Sequence, residues 1–460
     1  MPLQNGFSKC IPKLMIKAND KPVFMNRKNV TISVLTSLSF AYASSASFAV
    51  NANQKELTKE VTNSKAIAHK SGYKDTNQLN GPTSVAAELE AEDRISKPLF
   101  TLSEFDNSLN PWFDYKKSIN KKHGFKFGVY YNALYQSANK TIDENEDTGA
   151  LGILRFNGAW DIVGRGTKNV GTLYFNIDNR HKLGTDIAPA GLASEVGYVG
   201  MTGTLFSDVG TVLVDLNYQQ RVNDARGGFI VGRFDPNDYV FVSGYANPWT
   251  TFQNVSVLLN ASVALPDASW GLGGGHWLTD ELYVLGTIND ANGLVTDDLD
   301  FFSGGSEFWK ALEFGWSPNT SKRYSNQINM SFWHVDARDN ITTEESYGVA
   351  VSANWLFDNG IMPIFRAGVS KGDSPIYNET VTFGLTYQIE SRSDEFGIAV
   401  NWGKSPVETL RNQITTEVFY KLQLAQNLAI TPSIQLLTDP ALNTETDDIA
   451  IFSVRFRISL

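Results

Sequence analysis

Cysteine is almost absent: Cys10 is the only one in 460 residues. A lone thiol cannot close an intramolecular disulfide, and it rules out the Cys-x-x-Cys pairs of redox and zinc sites. No run of about 18 or more apolar residues occurs, which excludes a conventional transmembrane helix. Histidine is scarce too, and no two of His69, His123, His181, His276 and His334 lie within ten residues of each other. HExxH, GxSxG and P-loop patterns are missing. The sequence therefore offers no motif for a metal or other cofactor, and none is expected. Distant residues can still assemble a hydrolytic site, so an enzyme stays open as an alternative.

What is present begins with an export pattern. In "MNRKNVTISVLTSLSFAYASSASFA", Met25 to Ala49, Arg27 and Lys28 form a basic start and Val30 to Ala43 a mildly apolar core. Ser47-Phe48-Ala49 has the small-residue form of a cleavage site, so residues 1–49 read as a signal peptide whose start is Met25. Removing it leaves 411 residues; it takes away six basic residues and one acid, moving the formal charge from −10 to −15. Such an acidic balance disfavours a nucleic-acid partner. It also discards Cys10, leaving an exported chain without thiol chemistry.

Residues 50–109 are rich in Lys, Glu, Asn and Ser and read as a flexible periplasmic lead-in without a core. A short helix is expected within it around Ser84 to Ile95, "SVAAELEAEDRI". "NPWFDYKKSINKKHG", Asn110 to Gly124, has the N-terminal proline and C-terminal glycine of another short helix.

From Phe125 onward, segments of about ten residues alternate apolar with polar, as strands tilted across a bilayer do. In "IAIFSVRFRISL", Phe452, Val454, Phe456, Ile458 and Leu460 oppose Ser453, Arg455, Arg457 and Ser459. "ETVTFGLTYQIE" sets Val381, Phe383, Leu385, Tyr387 and Ile389 against Thr380, Thr382, Gly384, Thr386 and Gln388. Alternation also suits a β-sandwich. The connections discriminate better: counted back from the end they run eleven, three, eleven, four, seven and three residues, long and short in turn. One rim then carries turns and the other outward loops. Tyr387, Trp402, Tyr420, Trp316 and Trp355 fall near strand ends, where aromatic girdles sit. The expected fold is all-β: a transmembrane antiparallel β-barrel of about 16 strands over residues 110–460, its partner the outer-membrane lipid. The apolar face of the last strand then meets lipid, its arginines meet a water-filled lumen, and that strand closes the barrel.

Charges on the predicted inner face are the candidate pore residues: Arg155, Arg366, Glu417, Lys421, Arg455 and Arg457. Each either sets the field at a narrow point or solvates the inner wall, and both readings stay open. "GLGGGHW", Gly271 to Trp277, lacks the lysine and helix of a nucleotide loop and reads as a glycine-rich strand in a crowded place. "DANGLVTDDLD", Asp290 to Asp300, has no EF-hand spacing and reads as a solvated loop.

"GGFIVGRFDPNDYVF" (Gly227 to Phe241), "LPDASWGLGGGHWLTDELYVLGTINDANG" (Leu265 to Gly293) and "TTEVFYKLQLAQNLAITPSIQLLTDPALN" (Thr415 to Asn443) together resemble the carbohydrate-selective porin B family of Gram-negative bacteria. The match runs in order through about residues 110–460. The resemblance implies a sixteen-stranded outer-membrane barrel, often a homotrimer, that passes monosaccharides and similar small neutral solutes by diffusion. It carries over to Gly232, Arg233 and Asp235, with a structural or lumen-lining role. The family's "W-G-G-x-R" helix is here "PWFDYKKSI", which keeps Trp112, and the last residue is Leu460. A general or anion-preferring porin, an outer-membrane barrel enzyme and a secreted carbohydrate-binding protein remain the alternatives.

Overall fold

The computed structural model describes residues 70–74, 79–297, 305–338, 341–389 and 391–460. The signal peptide read at residues 1–49 lies outside the described residues, as does the lead-in up to residue 69.

Among the described residues sixteen strands form one closed antiparallel barrel, each paired with its neighbours in sequence. The first eight are β1 (Phe125–Ala138), β2 (Thr148–Val163), β3 (Gly171–Lys182), β4 (Gly210–Val222), β5 (Gly227–Phe234), β6 (Ser269–Trp277), β7 (Leu282–Asp290) and β8 (Phe308–Trp316). The others are β9 (Asn326–Val335), β10 (Ser346–Trp355), β11 (Ile361–Lys371), β12 (Glu379–Ile389), β13 (Asp394–Lys404), β14 (Gln413–Ala425), β15 (Leu428–Thr438) and β16 (Asp448–Ser459). Closure runs from Tyr130 opposite Ser459 to Ala138 opposite Ile451, so no strand edge is left open.

The period of two decides what each face meets. On β16 Phe452 and Val454 are 54% and 48% exposed, whereas Arg455 between Val454 and Phe456 is buried. Leu154, Phe156, Leu272, Met330 and Phe383 continue this outward apolar belt on other strands. A belt of exposed apolar side chains around a closed barrel suits hydrocarbon and nothing aqueous. At the rim of short turns, two to nine residues long, Trp316 stacks on Trp355 at 5.9 Å, an amphipathic pair of the kind that suits a boundary of lipid and water. The opposite rim carries the long connections, up to 34 residues.

"GLGGGHW" is indeed strand, in β6. It is crowded: a Cβ on Gly275 would overlap the side chain of Leu285 on β7. "NPWFDYKKSINKKHG" is helix from Asn110 to His123, ended by Gly124 at φ 71°, a left-handed conformation that glycine adopts without strain. Arg165 covers its last carbonyls, donating to Asn120 and Lys122 at 3.0 Å and also to Lys121.

One expectation fails. The lead-in has a core after all. Helix α1 (Val85–Glu92), capped by Ser84, places Val85, Ala86 and Leu89 with Tyr73 against Ala159 of β2 and Tyr174 of β3, both on the inward face. Four apolar side chains suffice because the barrel supplies the other half of the core. Helix α2 (Ser103–Ser108) and helix α3 (Asn110–His123) then lead along the short-turn rim to β1, where Leu99 and Phe100 donate to the carbonyls of Gln423 and Leu424.

Candidate functional site

The inner wall of β16, β1, β2, β3 and β4 carries a row of polar side chains. Pairing sets it: Asn132 lies opposite Arg457, Tyr130 opposite Arg155, Arg155 opposite Asp178, Asn157 opposite Asn176, and Asn176 opposite Asp215. Each is inward because its strand neighbours, such as Leu154, Phe156 and Ile177, point outward. Asp178 takes Arg155 in a two-pronged grip, from Nε at 2.8 Å and Nη2 at 2.9 Å, and also takes Arg180 at 2.9 Å. That geometry fixes the guanidinium plane. Arg457 Nη1 is fixed likewise by Asn132 Oδ1 at 2.7 Å. Asn132 Nδ2, Asn157 Oδ1, Asn176 Oδ1 and Asp215 Oδ1 have no protein hydrogen-bond partner. Buried donors and acceptors of this kind normally find one, so the row is chemically ready for a polar solute or water.

Besides the β3–β4 connection, which meets Gln136 through Thr202 and Arg180 through Leu205, two pieces of chain lie over this wall. The first is the connection of residues 235–268 between β5 and β6, which folds inward. Glu417 on β14 accepts the backbone N–H groups of Gln253 and Asn254 at 2.7 and 2.9 Å. Arg455 donates to the carbonyls of Pro248 and Thr251 at 2.8 and 3.0 Å, and Arg366 to that of Leu258 at 2.5 Å. Glu313 accepts from Phe241 N–H at 2.7 Å. Trp249, at the tip, lies 4.2 Å from the Arg155 guanidinium, a cation–π contact that ties the segment to the polar row.

The second is α1. Glu88 is buried, with Oε2 accepting from Arg155 Nη1 at 3.2 Å and Asn157 Nδ2 at 2.8 Å, and Oε1 from Arg457 Nη2 at 3.1 Å. Glu92 accepts from Arg457 Nε at 3.0 Å. Burial alone would raise the Glu92 carboxyl, but Arg457, Ser459 and Lys70 together hold the group below its ordinary value. Asp93 closes the helix end by accepting the N–H groups of Ser71 and Tyr73. Beneath it Lys116 of α3 faces the rings of Tyr73, Phe113 and Phe127, and burial pushes its pKa down to about 8.

The sequence-derived candidates thus separate into groups. Arg155 and Arg457 come together through Glu88. Arg366, Glu417 and Arg455 hold the infolded segment. Arg233 donates to the carbonyls of Leu213 and Leu294, and Asp235 accepts Asn237 N–H at the root of that segment. Lys421 pairs with Glu395 at 3.6 Å. The expectation that the arginine face of β16 meets open water is corrected: Arg455 meets backbone carbonyls and Arg457 meets carboxylates. Sequence reasoning missed Glu88, Asn132, Asn157, Asn176, Asp178 and Trp249. For Asn176 and Asp178 a signal existed, since they alternate with Phe175 and Ile177 in "YFNIDNRH".

Among the described residues no cluster of three or more His, Cys, Asp or Glu is arranged to hold a metal ion. In the loop starting at Asp290, Asp290 and Asp297 accept backbone N–H groups of Asn292 and Leu294; residues 298–300 lie outside the described residues.

Residues 337–460 match the family model "Carbohydrate-selective porin, OprB family". Among solved structures, the high-pH structure of Pseudomonas putida OprB superposes with a TM-score of 0.64 at 12% identity, covering 76% of this chain and 97% of that one. A triple mutant of the Rhodopseudomonas blastica porin gives a TM-score of 0.45 at 13% identity, covering 73% of this chain and 100% of that one. No curated protein sequence matches the chain. The last 124 residues are thus similar to the carbohydrate-selective porins of the OprB family, and the barrel they complete has the fold of Pseudomonas putida OprB.

Proposed function

We propose that this protein is an outer-membrane porin through which small carbohydrates cross by passive diffusion, with no catalytic step. The observation that carries the reading is the family match over residues 337–460, joined to a barrel that is apolar outside and polar inside. Where the covering chain gives way, a solute meets the unpartnered amide and carboxyl oxygens of Asn157, Asn176 and Asp215, which accept from hydroxyl groups, and Asn132 Nδ2, which donates to them. Such contacts must be weak and several for passage to continue. The membrane is the Gram-negative outer membrane, with the short turns at the periplasmic rim. Residues 1–49 are its export signal, and three copies form the assembly that the family resemblance implies.

The second reading, an anion-preferring pore, has its own observation: Arg155 shares Asp178 with Arg180 and Glu88 with Arg457, so three arginines gather on one stretch of wall. Proteoliposome swelling separates the two. Glucose is expected to enter faster than a zwitterionic amino acid of similar size; equal rates reduce the protein to a general porin, and a chloride-selective reversal potential without sugar preference favours the anion pore.

A further inference from the structure

We infer that Arg155, Asn157 and Arg457 form a carboxylate-binding site, that Glu88 is its tethered occupant, and that free sugar acids compete for it. The inference rests on the porin reading and adds a solute class to it.

Both oxygens of Glu88 are engaged by three donors from β2 and β16, at 2.8 to 3.2 Å. None of those contacts uses anything peculiar to a glutamate side chain; any carboxylate at that point satisfies them. The donors are also positioned without Glu88. Asp178 holds the plane of Arg155 from Nε and Nη2, leaving Nη1 directed at Glu88. Asn132 holds Arg457 Nη1 from the wall, while Nη2 is shared between Glu88 at 3.1 Å and Glu92, on the same helix, at 2.8 Å. A site whose donors are oriented by the barrel wall persists when its occupant leaves.

The occupant is able to leave. Helix α1 has eight residues, too few to be stable alone in water. Its apolar contacts are Val85, Ala86 and Leu89, so Glu88 and Glu92 contribute a large share of its attachment. When it withdraws, two buried guanidiniums lose carboxylate partners, which makes an anionic replacement strongly favoured. Along the same row, Asn132 Nδ2, Asn157 Oδ1, Asn176 Oδ1 and Asp215 Oδ1 are unpartnered. A plain short-chain acid uses only the arginines. A sugar acid uses the arginines for its carboxylate and the amide atoms for its hydroxyls, which is why it is the class assigned.

The test uses the full chain in planar bilayers, with gluconate and glucose as probes. In Glu88→Gln the tethered competitor has lost its charge, and the gluconate concentration giving half-maximal modulation of the single-channel current is expected to fall by about tenfold. That for glucose should change by less than about twofold, since it carries no carboxylate to compete. Equal gluconate values in wild type and Glu88→Gln overturn the inference. A second measurement does not need that variant: with Cys10→Ser, Leu89→Cys is expected to react faster with a small maleimide in gluconate than in glucose. No acceleration by gluconate likewise overturns it. Failure of glucose to enter liposomes, by contrast, removes the sugar-porin reading and leaves the carboxylate site to be judged by the gluconate data.

Discussion

The segment of residues 235–268 and helix α1 both lie inside the barrel, yet the wall grips the first by its backbone and the second by its side chains. Glu417, Arg455, Arg366 and Glu313 all bond to main-chain N–H or C=O groups of the segment. Its local turns satisfy part of its backbone, as from Leu258 N–H to the Asn254 carbonyl, and buried peptide groups outside those turns take partners from the wall. Helix α1 satisfies its backbone internally and offers carboxylates instead. The first arrangement belongs to the covalent fabric of the pore. The second depends on protonation, on competing anions and on two residues. On the proposed reading a fixed element and a removable one share the barrel interior, and their separate chemistry lets each be broken alone.

The largest effect is expected from the fixed element. Glu417→Ala leaves the N–H groups of Gln253 and Asn254 buried without their carboxyl acceptor, a loss of about 2–3 kcal/mol. The segment should swing from the wall, raising single-channel conductance severalfold and admitting trisaccharides in swelling assays. Glu417 is buried under that segment, so an unchanged size cut-off would show that its other contacts, those of Arg455, Arg366 and Glu313 among them, hold the segment without it.

How much of this was legible beforehand follows the same division. The barrel was readable because each strand repeats its instruction locally: on β16 every second residue from Phe452 to Leu460 is apolar. Arg455 and Arg457 were placed on the inner face for that reason, and they lie there. What they touch was not readable. Glu88 reaches partners 67 and 369 positions away, and no local pattern encodes such pairings. "SVAAELEAEDRI" looks like a solvated helix because its apolar face is only three small or medium residues wide; the barrel supplies the remainder. The infolded segment was missed for a related cause. Its backbone partners are side chains of distant strands, so neither a period of two nor one of 3.6 marks it.

Acid should release the removable element and spare the fixed one. Glu92 in the docked helix lies below its ordinary value of 4.5, because burial, which raises it, is outweighed by Arg457, Ser459 and Lys70 together. The undocked state thus binds more protons as pH falls through this range, and docking weakens. Its contribution is complete above the ordinary glutamate value and is lost as pH drops through the depressed one. Conductance measured from pH 7 down to about pH 3 should rise in wild type. In Glu92→Gln the part of that rise due to Glu92 should be missing, and its channel should already be more open at pH 7. A rise of identical size and midpoint in both proteins assigns the acid response elsewhere.

The smallest effect concerns the approach of the chain to α1. Lys70 donates from Nζ to the carbonyl of Glu92 at 3.0 Å and to Asn427 Oδ1 at 2.5 Å, and its ammonium lies 5.0 Å from the Phe113 ring. Burial lowers its pKa, so part of what these bonds gain is offset by loss of hydration. Lys70→Met keeps the packing on Phe113 and removes both bonds, for a net change of about 1 kcal/mol or less. Open probability in bilayers should therefore rise less than in Glu88→Gln, and the sensitivity to gluconate should stay as in wild type. That ordering is what the comparison demands. If Lys70→Met opens the channel as far as Glu88→Gln does, the helix is held by its tether to the β14–β15 turn, and the carboxylates on Arg155 and Arg457 merely register where it comes to rest.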